Sequence, residues 1–241
     1  MMKRFIFSIF LLPLLLASPQ TKAQGIMLTP KWTAQAQFTG YYVADKLGFY
    51  KEEGIDVCVQ HPAISESSFS FMEKGRAPVV IMNLSYAFME RLAGARVVNV
   101  MQTSQENSLM LISHSPLKGE ESLRNQKIAV WNHLSQKLLD RLAEHYALKQ
   151  VEWIRFNSGV NVFLSGAADP CLVGSYNEYL QLSEYGMNVD SIYSIRLADY
   201  GYNLPEDGLY VTEEFYNQYP EVVRKLVKAS MRGWAWTNEH R

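Results

Sequence analysis

A cluster of aromatic side chains near residue 40 is the feature of the sequence best suited to binding a flat molecule. Trp32, Phe38, Tyr41 and Tyr42 lie within eleven residues, and Gly40 stands among them. A tyrosine offers a flat apolar face with a polar tip, and a glycine lets another group approach its backbone closely. Any one of these rings could belong to the core. Four of them at the start of a helix favour a platform that stacks on a neutral or cationic ring.

A second group of aromatic and acidic residues follows a short apolar run at 171–174. Tyr176 and Glu178 lie here, and residues at the carboxyl ends of strands in an α/β sheet face the ligand crevice. A carboxylate only accepts hydrogen bonds, so Glu178 would select a ligand with N–H donors, such as an aminopyrimidine. The alternative is that Glu178 is a solvated acid on the surface of a helix.

Two more predicted strand ends carry small polar residues. Ser158 and Gly159 begin a predicted helix whose free backbone N–H groups could hold an anion or a polar ligand tail. Asn83 and Ser85 occupy a comparable strand end in the first half of the chain, and Ser85 is suited to cap the helix that follows. All four are therefore predicted ligand-binding residues.

The sequence contains no recognisable catalytic or metal-binding signature. It has no G-x-S-x-G motif and no Walker phosphate loop, and its five histidines are scattered. Neither Cys58 nor Cys171 has a second thiol or a histidine at metal spacing, so we expect buried free thiols rather than a bridge, and no metal or cofactor. A net charge of −1 without a basic run argues against a nucleic-acid partner.

Alternating strands and helices would position these residues. Nearly all-apolar runs such as 77–82 predict strands buried on both faces, and helical spacing of leucines predicts the helix at 136–146. This alternation is typical of an α/β fold with a mostly parallel sheet. The predicted strands are 55–60, 77–82, 96–102, 108–113, 127–131, 151–156 and 171–174, and the predicted helices are 66–74, 85–93, 136–146, 159–164 and 177–185.

Two segments are predicted to divide the chain into two lobes. Residues 114–116 follow a strand and precede a new set of strands and helices, and residues 199–208 carry Pro205 and two glycines before the last helices. If both are crossings, lobe 1 comprises residues 24–113 and 201–241, and lobe 2 comprises residues 114–200. A cleft between lobes is a favoured ligand site.

The first 23 residues have the pattern of a secretory signal peptide. A basic start is followed by an apolar run too short to span a bilayer and by a cleavage position near Ala23. Removing this segment takes away Lys3, Arg4 and Lys22 and no acid, so 20 basic and 24 acidic residues remain. We therefore expect an exported, mildly acidic protein that is periplasmic or secreted.

Residues 32–57 resemble the N-terminal signature of a known family. The pattern is W-x5-F-x-G-Y-Y-V-A-D-x-x-G-F-Y-x-E-E-G-I-D-V, and the run L-R-N-Q-K-I-A-V at 123–130 resembles the family's L-x-G-K-x-I-x-V segment with Asn125 in place of glycine. Residues 158–161 and 176–179 resemble segments of its second lobe. The family comprises substrate-binding proteins of ABC importers for thiamine pyrimidine precursors, with fungal pyrimidine synthases of thiamine biosynthesis as relatives. The resemblance covers residues 30–236.

The resemblance implies a two-lobed α/β fold, the type II periplasmic binding protein-like fold, which closes on its ligand. It implies that Trp32, Tyr41 and Tyr42 stack on the pyrimidine and that Glu178 binds its amino group. It also implies a permease of the inner membrane as partner, and we expect a monomer. The fungal synthases use a Cys-rich iron motif that is absent from this sequence, so we expect a binding protein and not an enzyme.

Several alternatives remain open from the sequence. The ligand could be a sulfonate or taurine, since binders of such compounds share the architecture. The chain could also be a pyrimidine-forming enzyme, or a sensory module that presents a ligand to a receptor kinase. The sequence ends at 234–241 inside a predicted helix. Family members continue further, which predicts either a truncated fragment or a short form.

Overall fold

The computed structural model describes residues 25–63, 65–117, 123, 125–131, 139–140, 143–144 and 151–240. The predicted signal peptide at residues 1–23, most of the predicted helix at 136–146, and His133 and His145 lie outside this part of the chain. Within the described residues, no helix is long and apolar enough to cross a membrane.

The described strands form two five-stranded sheets. The first sheet has the order β2-β1-β3-β10-β4 and the second has the order β7-β6-β8-β5-β9. The strands are β1 (Ile26–Thr29), β2 (Val57–Val59), β3 (Val79–Asn83), β4 (Val97–Gln102), β5 (Leu109–Ser113), β6 (Lys127–Trp131), β7 (Glu152–Phe156), β8 (Cys171–Gly174), β9 (Tyr193–Arg196) and β10 (Asp207–Thr212).

The two sheets share one topology. In each sheet three strands pair in parallel, and one strand that arrives from the other half of the chain pairs antiparallel with its two neighbours. That strand is β10 in the first sheet and β5 in the second. Because β4 and β9 run in the same direction as the parallel strands, four of the five strands of each sheet point one way, and the prediction of a mostly parallel sheet is confirmed. The one arriving strand runs in the opposite direction and makes each sheet mixed.

The chain passes between the sheets at residues 103–108 and 201–206, which we call the crossing segments. The predicted first crossing at 114–116 lies too late, because β5 already pairs with β8 and β9 of the second sheet. The second crossing lies within the predicted 199–208 and leads directly into β10. Apart from this reassignment of β5, the residue bounds of the two lobes stay a prediction.

The predicted helices that lie within the described residues agree with the structure to within a few residues, although the cap of one of them differs. The helix predicted from Ser85 begins at Leu84, and Asn83 rather than Ser85 is its N-cap residue. The helices are α1 (Thr39–Lys46), α2 (Phe49–Glu52), α3 (Ser68–Glu73), α4 (Leu84–Leu92), α5 (Asn161–Leu164), α6 (Glu178–Glu184), α7 (Glu213–Gln218) and α8 (Pro220–Glu239), with 3₁₀ turns at Ala36–Phe38, Val189–Ser191 and Leu197–Tyr200.

Apolar side chains fill both faces of the first sheet. Val79 and Ile81 of β3 belong to a core with α1 and α8, while Val80 and Met82 belong to a core with α3 and α4. This alternation follows from the two-residue period of a strand and explains the nearly continuous apolar run at 77–82. The second sheet has its own core, to which the buried thiol of Cys171 belongs. Both cysteines are free, as predicted, but Cys58 is exposed and not buried.

Helices α1 and α8 pack at the contact of two glycines. A Cβ atom on Gly233 would lie 2.0 Å from the carbonyl oxygen of Gly40 and 2.9 Å from the Ala44 Cβ. A Cβ atom on Gly40 would lie 2.3 Å from the Trp234 ring. The close approach that Gly40 permits is therefore that of the last helix, which brings Trp234 across the start of α1.

Replacing Gly233 by alanine is expected to destabilise the protein by about 1 to 3 kcal/mol, because the new methyl group meets backbone that must move. The gain in helix propensity of about 1 kcal/mol acts in the opposite direction and is smaller. Urea denaturation measures the difference, with Met231→Ala on the exposed side of the same helix as a control expected to stay within about 0.5 kcal/mol. A Gly233→Ala variant more stable than the parent would contradict this packing.

Candidate functional site

A cavity of about 310 Å³ lies where the crossing segments meet the ends of both sheets. Its walls come from three parts of the chain. The first sheet and its helices contribute Ala36, Gln37, Asp207 and Trp234, the crossing segments contribute Thr103, Ser104, Glu106, Asn107, Ser108 and Glu206, and the turn after β8 contributes Ser175 and Tyr176. The cavity is therefore the inter-lobe cleft that the sequence predicts.

Hydrogen bonds join the two crossing segments side by side. The backbone N–H of Asn107 donates to Asn203 Oδ1 at 3.1 Å, and its side-chain amide donates to the carbonyl oxygen of Tyr202. The Ser108 hydroxyl donates to Glu206 Oε2 at 2.9 Å. The carboxylate of Glu206 is thus held at the wall of the cavity from within the crossing segments.

Acidic side chains dominate the charge of the cavity wall. Glu106, Glu206 and Asp207 line it, and no lysine or arginine is found among the described lining residues. Burial raises the pKa of both Glu206 and Asp207, and Lys31 acts in the opposite direction on each. Lys31 forms an ion pair with Asp207 and donates to Asn83 Oδ1 at 2.6 Å. The wall therefore presents hydrogen-bond acceptors and excess negative charge.

Two aromatic rings complete the cavity. Tyr176 lies on the side of the second sheet, where burial, and then the nearby Glu206 and Asp207, raise the pKa of its phenol. Trp234 lies on the opposite side, packed on Gly40 and edge-on to Tyr41 with ring centres 5.8 Å apart. The cavity thus combines flat apolar surface with acceptor groups, which suits a small ring that carries N–H donors.

The predicted aromatic cluster lies beside the cavity and does not line it. Phe38 and Tyr41 are fully buried in the core, and the Tyr41 hydroxyl is 3.1 Å from Thr103 Oγ1. Burial is also the main cause of the raised pKa of the Tyr41 phenol. His61 connects Tyr42 to the backbone of Trp32, because its Nε2 lies 2.8 Å from the Tyr42 hydroxyl and its Nδ1 contacts the Trp32 carbonyl oxygen. Any ligand contact by these four rings stays a prediction.

Glu178 is buried against the protein and not solvated, so the helix-surface alternative is wrong. Its side chain is 6% exposed, and its two carboxylate oxygens already have protein donors. Oε1 accepts from the Trp131 indole at 3.2 Å and Oε2 accepts from the Gly174 backbone N–H at 3.1 Å. Glu178 therefore stabilises the turn between β8 and α6 that presents Tyr176, and it is absent from the cavity wall.

The remaining predicted residues are dispersed. Ser85 and Ser158 are exposed, and neither they nor Gly159 line the cavity. Gly159 has a φ of 78°, a left-handed conformation that suits glycine at the turn before the short helix α5. Asn83 is joined to the site through Lys31. Eleven ligand-binding residues were predicted. Tyr176 is the only one of them found among the described residues that line the cavity.

Sequence reasoning missed the acids and the tryptophan at the centre of the site. Glu206 and Asp207 lie in a segment interpreted as a loop, and Trp234 lies on the last helix, far from the others in sequence. The signal that could have found Asp207 is the apolar run Leu209–Val211 that follows it. That run marks a strand, and residues at strand ends line clefts in α/β folds.

Comparison with known proteins identifies similar chains. A profile of the family described as NMT1/THI5 like matches residues 35–241. The riboflavin-binding protein RibY of Chloroflexus aurantiacus is 29% identical, over 90% of this chain and 64% of that protein. A 4-amino-5-hydroxymethyl-2-methylpyrimidine phosphate synthase of Saccharomyces cerevisiae is 22% identical, over 82% of this chain and 62% of the enzyme. A formylaminopyrimidine-binding protein of Halalkalibacterium halodurans is 24% identical, over 99% of this chain and 76% of that protein.

The chain thus spans less than two thirds of the length of the first two of these relatives. Among solved structures, the periplasmic aliphatic sulphonate binding protein SsuA of Escherichia coli superimposes with a TM-score of 0.69 at 14% identity, over 90% of this chain and 75% of that chain. At this identity the likeness concerns the fold alone. It confirms the predicted α/β fold of the periplasmic binding proteins.

Proposed function

Because the chain belongs to the NMT1/THI5 like family, we propose that it is the solute-binding protein of an ABC-type importer and binds a thiamine-related aminopyrimidine. The observation that carries this proposal is the cavity between the sheets, with acceptors and aromatic rings on its walls. The chain acts without a reaction of its own, in the periplasm, as a monomer that delivers its ligand to a permease.

The chemistry of an aminopyrimidine matches the cavity. Its exocyclic amine donates two hydrogen bonds, its ring is flat, and protonation of the ring adds positive charge that the acids would favour. Tyr176 and Trp234 offer ring faces and edges at opposite sides. A volume near 310 Å³ is at the lower end of the range for small-molecule sites, which favours a single ring over a fused three-ring ligand.

The same charges argue against a sulfonate ligand. A sulfonate would meet three carboxylates on the wall, and Lys31, the cation next to them, is already paired with Asp207. The resemblance in fold to SsuA therefore does not extend to the charge of this cavity. One of the similar proteins is named a formylaminopyrimidine-binding protein. A ligand of that kind carries N–H donors, as the proposed ligand of this cavity does.

The predicted aromatic residues take a supporting role in this proposal. Trp32 and Tyr42 fix His61, while Phe38 and Tyr41 fill the core behind the cavity and Gly40 admits Trp234. Closure of the two lobes on the ligand would bury it and bring further side chains to it.

Thermal unfolding of the full chain with a ligand panel tests the proposal. The panel contains 4-amino-5-hydroxymethyl-2-methylpyrimidine, its aminomethyl analogue, thiamine, taurine and an alkanesulfonate. A ligand that binds only the folded state at 100 times its Kd stabilises that state by about 2.7 kcal/mol, which raises Tm by several degrees. We expect a rise with the aminopyrimidines and none with the sulfonates. A rise with taurine or the sulfonate alone, or none from a chain that melts cooperatively, would refute the proposed ligand.

A further inference from the structure

Glu206 combines three properties that no other acid of the cavity wall shares. It belongs to a crossing segment, it is partly exposed toward the cavity, and one of its carboxylate oxygens is fixed by the Ser108 hydroxyl. Asp207 is almost completely buried and is paired with Lys31. Glu106 is exposed and lies 3.1 Å from Arg196. The carboxylate best placed to accept from a bound molecule is therefore that of Glu206.

A second observation points to a donor-rich molecule at the same place. Gln37 is among the lining residues, and its Oε1 atom is buried and accepts no hydrogen bond from the described part of the chain. Its amide nitrogen donates to Gln35 Oε1 at 2.8 Å, which fixes the orientation of the group. A buried acceptor without a donor is unfavourable unless a ligand or water supplies one.

We propose that Glu206, and not Glu178, is the carboxylate that accepts the N–H donors of the ligand and so selects an amine-bearing ring. This inference rests on the proposed function and assigns its specificity to one residue. Because Glu206 belongs to the crossing segment and bonds to Ser108 in the other crossing segment, a ligand bound to it would also contact the region where the lobes move relative to each other.

The stability of the unliganded protein provides a second, independent test of the role of Glu206. Burial raises the pKa of Glu206, which means that the folded state disfavours its charged form. Above that pKa the charge therefore lowers the stability of the unliganded fold, and a neutral group of the same shape relieves it. If Glu206 is kept for ligand binding at the expense of stability, its neutral variant should be more stable without ligand and should bind the ligand less tightly.

The test compares Glu206→Gln with the parent by calorimetric titration of 4-amino-5-hydroxymethyl-2-methylpyrimidine and of 5-hydroxymethyl-2-methylpyrimidine, which lacks the amino group. In the variant, the amide oxygen can keep the hydrogen bond that the Ser108 hydroxyl donates, and the amide NH₂ group then faces the ligand donors. We expect affinity for the amino compound to fall about 10- to 100-fold and affinity for the analogue to change less than about threefold. At neutral pH the Tm of the unliganded variant is expected to rise.

Two further variants serve as controls. Glu152→Gln removes an exposed acid that is paired with Lys127 and is absent from the described cavity lining, and we expect it to leave the preference for the amino compound unchanged. Glu206→Asp keeps the charge and is expected to retain part of that preference, which also provides a result if Glu206→Gln fails to fold.

The outcomes separate the two proposals. If the parent binds the amino compound and Glu206→Gln binds it equally well, the role of Glu206 is overturned while the proposed function stands. If the parent melts cooperatively and binds neither pyrimidine, the proposed function fails and this inference fails with it. If Glu152→Gln weakens binding as much as Glu206→Gln does, the change in the net charge of the protein, and not the position of Glu206, explains the loss, and the role of Glu206 is overturned.

Discussion

Replacing Lys31 by methionine is expected to destabilise the protein by about 3 to 5 kcal/mol, because it leaves the buried carboxylate of Asp207 without its cation. The side chains of Lys31 and Asp207 are 19% and 4% exposed, so water can replace little of the lost interaction. Lys31 also donates to Asn83 Oδ1, and that acceptor loses its partner as well. The change thus removes the side-chain link from Lys31, just after β1, to the ends of β3 and β10 at the edge of the cavity.

The deficit of Lys31→Met should depend on pH. The pKa of Asp207 is already raised by burial, and Lys31 is the group that lowers it, so removing Lys31 raises the folded-state pKa further. A carboxyl whose pKa is higher in the folded state than in the unfolded state costs stability as the pH rises through that interval. We therefore expect a larger deficit at about pH 8 than at about pH 5, measured by urea denaturation at both values.

A second substitution identifies the cause. Asp207→Asn in the Lys31→Met background removes the unpaired charge and is expected to restore more than half of the lost stability. Lys127→Met is the matched control, because Lys127 and Glu152 form a pair in which both side chains are 61% exposed. That control should stay within about 0.5 kcal/mol. A pH-independent deficit without rescue would show that the packing of the Lys31 stem matters and the ion pair does not.

Local sequence patterns predicted the short apolar strands and several amphipathic helices. The strands at 127–131 and 171–174 have the predicted bounds because each is a short apolar run closed by polar or glycine residues. The helices predicted near 66–74, 85–93 and 177–185 are confirmed with ends shifted by a few residues. These are the elements whose burial follows from their own residues.

Pairing between distant strands was not predictable in the same way. Strand β10 begins with Asp207-Gly208, which has the composition of a turn, and its place between β3 and β4 depends on residues more than 100 positions earlier. Strand β5 was predicted, but no local feature shows that it joins the second sheet. The mixed character of both sheets arises from these two strands, and it was missed because their pairing, and for β10 the strand itself, was not predicted.

The sequence predicted that the site lies in the cleft between the lobes, but it did not predict most of the residues that line the cavity. A glycine among aromatic residues was correctly interpreted as a point of close approach, but the approaching group is the last helix and not a ligand. The rings of Phe38 and Tyr41 are apolar enough to fill the core. The sequence did not show whether these two rings face the core or the cleft. Lys31 and Asp207 meet across 176 positions, a distance over which no spacing rule applies.

Replacing Glu178 by leucine is expected to destabilise the protein by about 2 to 5 kcal/mol. Leucine removes the carboxylate that accepts from two buried donors, the Trp131 indole N–H and the Gly174 backbone N–H. Each unsatisfied buried donor costs about 1 to 3 kcal/mol. Glutamine keeps one acceptor but turns its NH₂ group toward the other donor, so Glu178→Gln should cost roughly half as much. Urea denaturation measures both, with Glu184→Leu on the exposed side of α6 as the control.

Ligand binding by Glu178→Gln then distinguishes support from direct contact. If Glu178 stabilises the turn that presents Tyr176, its loss should weaken binding of the amino compound and of the analogue without the amino group by the same factor. If Glu178 itself accepts from the amino group, only the amino compound should lose affinity. Glu206→Gln is expected to show that selective loss, so the two variants measured side by side assign the amino group to one carboxylate. Two carboxylates near Tyr176 would then have different tasks, because both oxygens of Glu178 are occupied by the protein and Glu206 lines the cavity.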